Sequence, residues 1–153
     1  MRLLTSLILT ALLGTAVARE DIWFVGAGAG PQSGNGLHFG LIHGRHGLDL
    51  GLGLLYESQD AKWGYSTGIR YLNTLFSGPL NDTYAWAGGA LTGNYRDQTA
   101  SHITSVGAGL GLDFHFGLPL HVYFDSGLAA YFSQGFERKE YYPAFNGGLR
   151  YEW

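Results

Sequence analysis

The segment from Phe145 to Trp153 alternates without a fault. Phe145, Gly147, Leu149, Tyr151 and Trp153 share one parity, while Asn146, Gly148, Arg150 and Glu152 share the other. A strict period of two with chemically different faces describes a strand between two environments. The same period recurs upstream. Leu48, Leu50, Leu52, Leu54 and Tyr56 oppose Asp49, Gly51, Gly53, Leu55 and Glu57, and Val106 to Phe116 oppose Ser105 to His115 in the same way.

Taken in order, the pattern predicts eight strands of about ten residues, the length a tilted strand needs to cross a bilayer. They fall near 21–30, 37–44, 48–57, 62–71, 83–95, 105–116, 122–132 and 142–153. No segment reads as a helix. The segments 31–36, 58–61, 94–101 and 133–141 are expected as outer loops, and 44–47, 72–82 and 117–121 as turns at the other end. The fifth strand has no clear phase. Tyr84 and Trp86 suit an interfacial aromatic girdle, but Ala85, Ala87 and Leu91 stand in the opposite register. The GAGAG run at 26–30 fails the G-x-G-x-x-G spacing, because Pro31 and Ser33 occupy the last position.

Charged residues make up 14% of the chain, where about 25% is usual in soluble proteins. There are 25 Gly, and 15% of residues are aromatic. Such a chain has too few charges to cover a soluble exterior. The net charge of −3 and the lack of a basic stripe exclude nucleic acid as an expected partner. The face opposite the Leu and aromatic residues carries Gly at position after position. That is a poor water-exposed surface but a sensible lining for a narrow lumen. The Gly and charged face is therefore expected inside, and the apolar face against lipid. A closed barrel pairs every backbone group as it crosses. The expected fold is all-β, an eight-stranded antiparallel up-and-down transmembrane β-barrel.

Met1-Arg2, the apolar stretch Leu3 to Leu13 and Ala16-Val17-Ala18 read as a secretory signal. Residues 1–18 are expected to be removed, leaving the barrel at 19–153. With no Cys there is no lipid-attachment thiol and no disulfide framework.

The closing strand, with Tyr151 and a final Trp153, resembles that of small eight-stranded bacterial outer-membrane barrels. These are the outer membrane protein A and X type and the opacity-type surface proteins. The resemblance implies a Gram-negative, porin-like outer-membrane location after secretion, with Tyr151 and Trp153 as the signal read by the barrel-assembly machinery. It also implies outer-membrane lipids as partners, and a structural or surface-interaction role with a possible ligand at the loops. The stretches 94–98 and 136–142 mix aromatic and charged residues and are the loop candidates. The resemblance admits two alternatives, a lipid A-modifying barrel enzyme and a narrow channel for small solutes. The deacylase pattern has a His-x-Ser pair at the membrane edge. Here the nearest stretch is His102-Ile103-Thr104 between Ser101 and Ser105, with Ser126 elsewhere, and no nucleophile, base and orienter can be named together. No catalytic residue and no cofactor is expected.

The inward parity places a polar network of Asp49, Glu57, Lys62, Arg70, Asp113, His115, Tyr123, Asp125, Arg150 and Glu152. Buried charges persist when paired, and both signs are present in similar numbers. An internal network that fills the lumen is expected over a ligand site or proton relay. His38, His43 and His46 are not expected to hold a metal: the first two are five positions apart, which puts them on opposite faces, and His46 falls in a turn.

Overall fold

The structure is a computed structural model that describes residues 21–57, 62–96, 99–116, 118–133 and 138–153, except the side chains of 55–57, 62, 95, 96, 99–101, 138 and 139. Residues 1–20, with the expected signal, lie outside the described residues. The chain forms eight antiparallel strands: β1 (Ile22–Ala29), β2 (Gly36–His43), β3 (His46–Glu57), β4 (Lys62–Ser77), β5 (Asn81–Arg96), β6 (Thr99–Phe114), β7 (Leu120–Ser133) and β8 (Arg138–Glu152). Each strand pairs with the next, and β8 returns to β1, closing the sheet into a ring. No helix occurs among the described residues. The closing seam pairs Val25 with Tyr151 and Ala27 with Leu149. Two backbone bonds between Trp23 and Trp153, of 3.1 and 3.0 Å, extend it by one rung.

The alternation sorts as expected. Leu50, Leu54, Leu110, Leu128, Phe145 and Leu149 are exposed on the outside. Asp49, Arg70, Asp113, Asp125, Asn146 and Arg150 are buried inside. The polarity is inverted relative to a water-soluble domain, whose apolar side chains face inward.

Large inward rings lie over glycines of nearby strands, Phe24 and Tyr84 each over the glycine paired with it on the adjacent strand. A Cβ at Gly40 would meet Phe24, one at Gly111 would meet Tyr84, and one at Gly28 would meet the Tyr123 hydroxyl. An eight-stranded interior has room for one ring only where the facing position has no side chain.

Several boundaries differ from expectation. The 72–82 connection is mostly strand: β4 runs to Ser77, with a bulge between Thr74 and Phe76, and only 78–80 turn the chain. The 94–101 and 133–141 loops shorten likewise, because β5, β6 and β8 extend past the ends that the alternation predicts. His46 is not in a turn. It opens β3 opposite His43, across a two-residue turn in which Gly44 has φ 60°. Strand five takes the phase that puts Tyr84, Trp86 and Ala90 inside, so Tyr84 and Trp86 are core residues, not an aromatic girdle.

Candidate functional site: the filled interior

The segment between β1 and β2 is not an outward loop. It turns into the ring, where Gln32 and Ser33 are fully buried. The Gln32 backbone N–H donates to Asn146 Oδ1 at 3.3 Å, the Asn35 backbone N–H to Ser66 Oγ at 3.0 Å, and Ser105 Oγ to the Pro31 carbonyl at 2.5 Å. Gly34 has φ +78°, a left-handed conformation that a Cβ disfavours. The wall glycines make the space. A Cβ at Gly51 or Gly68 would strike Ser33, and one at Gly53 would strike the Asn35 carbonyl. Above this inward segment a vestibule of about 340 Å³ remains, lined by Pro31, Asn35, Thr92, Ile103, Ser105 and Tyr131.

A Gly51→Val change should therefore expel the segment. Overpacking of this kind costs about 1–3 kcal/mol, which shifts an opening equilibrium roughly 5- to 150-fold. The chain has no Cys, so a Ser33→Cys reporter is the sole thiol. Its labelling is expected to be slow alone and faster by that factor with Gly51→Val; equal rates would show that the segment does not depend on the glycine floor.

Below the inward segment the charged side chains meet across the ring. Arg70 donates through Nε (3.1 Å) and Nη2 (2.5 Å) to Asp49 on the neighbouring strand. Its Nη1 reaches Asp125 on β7 at 2.6 Å. Tyr84 and Asn146 also donate to Asp125, at 3.0 and 2.5 Å. His38 Nδ1 stands 3.0 Å from Asp49. The Arg70 guanidinium lies 5.2 Å from the Tyr123 ring centroid. Strands β2, β3, β4, β5, β7 and β8 thus share one hydrogen-bonded cross-brace. The Tyr123 hydroxyl and His38 Nε2 both border Gly28 and have no hydrogen-bond partner among the described residues.

A second cluster lies toward the 115–119 turn. Arg150 binds Asp113, and its Nε is 2.9 Å from Glu152. His121 stands between the same two carboxylates, 2.9 Å from Asp113 and 3.3 Å from Glu152. His115 packs its ring 5.4 Å from that of His121, and its Nε2 is 3.9 Å from Asp82. A cavity of about 10 Å³ opens between Asp82, Tyr84, Asp113 and Arg150.

Of the ten network residues expected from sequence, Asp49, Arg70, Asp113, Tyr123, Asp125, Arg150 and Glu152 are buried inside, and His115 is half-buried at the rim. Glu57 and Lys62 close the β3–β4 ladder as a backbone pair, but their side chains lie outside the described residues. His38, Tyr84, Asn146, Asp82 and His121 belong to these clusters and were not expected. Ser105 faces inward onto Pro31, away from the outer face on which His102 is exposed. Ser126 is exposed between Leu110 and Phe145. Tyr151 and Trp153 are exposed and stack at 6.3 Å. Most side chains of the two loop candidates lie outside the described residues; Tyr141 and Tyr142 are exposed, and Tyr142 donates to Glu140 at 3.0 Å.

No protein-family model, no curated protein and no solved structure matches this chain.

Proposed function

We propose that this chain is a transmembrane β-barrel of a bacterial outer membrane, sealed inside, with a structural or surface-interaction role. The observation that carries the reading is the inverted polarity. Leu48, Leu50, Leu52 and Leu54 run exposed along β3, while Asp49 is buried behind them. A contiguous apolar exterior on this scale is unusual for a soluble monomer. Lipid accounts for it without a protein partner, and a closed ring leaves no unpaired strand edge in the bilayer. The cross-brace and the inward segment favour a sealed interior over a solute channel. The engagement of Ser105 with Pro31 weighs against a lipid-facing serine nucleophile at that end.

The test is membrane fractionation together with gel mobility before and after boiling. The chain is expected in the outer-membrane fraction. The unboiled refolded protein should migrate apart from the boiled form, because a closed ring resists detergent. A soluble periplasmic protein with one band would sink the reading, and the exposed apolar face would then need a protein partner.

A further inference from the structure

We propose that the vestibule above the inward segment is a binding site for a small neutral ring compound bearing a hydroxyl or carbonyl oxygen. The proposal is independent of the membrane reading. At about 340 Å³ the cavity falls at the lower end of small-molecule sites, which run roughly 300–1,000 Å³.

Two large side chains at this end are exposed where a lipid exterior does not account for it. Ile103 shares the inward parity of β6 with Ser105 and is 48% exposed. Tyr142 shares the inward parity of β8 with Ala144 and Asn146 and is 52% exposed. Tyr142 meets Tyr131 of β7 edge to face, with ring centroids 5.8 Å apart. Ile103, Tyr131 and Pro31 give the cavity apolar surface on its wall and floor. Among the described residues no charged side chain lines it, in contrast with the ion pairs below. A charged guest would lose its hydration there with no counterion in its place.

The polar groups select the guest. Asn35 Oδ1 accepts from the Gly30 backbone N–H at 3.0 Å, which leaves the side-chain NH₂ of Asn35 as a donor. Ser66 Oγ accepts from the Asn35 backbone N–H, so its own proton can go to Thr92 Oγ1, 3.4 Å away. The Thr92 proton is then left to donate to a guest. Ser105 Oγ gives its proton to the Pro31 carbonyl and keeps lone pairs that accept. Two donors and one acceptor around an apolar floor match an oxygen function carried on a ring. Pro31 and Asn35 belong to the inward segment, so the site exists only while that segment is folded in. A bound guest therefore holds the segment closed, by the factor 1 + [L]/Kd that applies to a ligand of one state alone.

The experiment titrates the full folded chain in detergent with para-fluorobenzyl alcohol, followed by fluorine NMR, with protein-free micelles as the blank. Saturable binding is expected. At neutral pH the charged analogues para-fluorobenzylammonium and para-fluorobenzoate should bind at least about 10-fold more weakly. Ile103→Trp fills the cavity and should abolish binding, while His102→Trp, at the adjacent outer position, should leave it unchanged. Thr92→Val should weaken it about 2- to 10-fold, the effect of one lost hydrogen bond. In the Ser33→Cys reporter, alcohol at roughly ten times its Kd should slow thiol labelling about 11-fold. Each variant is checked for native tryptophan fluorescence; if Ile103→Trp fails to fold, Thr92→Val and the labelling rate carry the comparison. Binding that does not saturate, that is equal for the charged analogues, or that survives Ile103→Trp overturns the site. So does a labelling rate that saturating alcohol leaves unchanged.

Discussion

Replacing Arg70 by Met should destabilise the folded chain by about 3–5 kcal/mol, the usual cost of leaving buried charges without their partner. Arg70 is 2% exposed and is the cation that joins Asp49 on β3 to Asp125 on β7. Without it, among the described residues Asp49 keeps His38, and Asp125 keeps the neutral donors Tyr84 and Asn146. Methionine fills much of the same volume, so the change isolates charge from packing. Lysine is a poor substitute, since a point charge cannot fork between carboxylates on opposite walls. Equilibrium urea unfolding followed by tryptophan fluorescence checks the value. The compensated variant Arg70→Met with Asp49→Asn and Asp125→Asn should recover most of the loss, because replacing a buried ionic group wholesale is often close to neutral. A single-variant loss below about 1 kcal/mol would mean that water screens the cluster, and the cross-brace would have to be given up as a source of stability.

How far the sequence foretold this depends on contrast between the two parities. In β8 the contrast is complete, since Phe145, Leu149 and Tyr151 alternate with Asn146, Arg150 and Glu152, and the structure keeps that order. In β5 the inward positions hold Tyr84 and Trp86 and the outward ones Ala85 and Ala87. Large amphipathic rings inside and small residues outside erase the contrast, so the phase was unreadable without the partner strands. His38 was legible, because it shares parity with Gly40 on β2. His121 was hidden by Pro119, which made its segment read as a turn. The inward course of 31–35 had only an indirect signal: Gly51, Gly53 and Gly68 form a bare patch that one strand's alternation does not require. The clusters depend on cross-ring distances, such as Arg70 to Asp125, that no local spacing encodes.

An arginine in place of Leu50 distinguishes the two environments the exterior could face. Leu50 is 45% exposed and has Phe39 and Ile69 beside it on adjacent strands and Leu48 and Leu52 along its own. It sits amid the apolar face rather than at its rim. In a bilayer, an arginine on the lipid side of a barrel costs roughly 2–4 kcal/mol near the midplane and about 0–1 near the interface. In water, a surface substitution of this kind stays within about ±0.5 kcal/mol. Folding free energy in phospholipid vesicles is therefore expected to fall by the larger amount for Leu50→Arg. Arginine at Trp153, at the end of the seam, should cost less, since that position lies near the ring's edge. The same two variants are then compared in detergent micelles, where a flexible apolar layer lets the long side chain reach water. A large penalty in vesicles that shrinks in micelles, and that grades from Trp153 to Leu50, follows from a lipid-facing wall. Equal small penalties at both positions do not, and would place this apolar face against something other than a membrane.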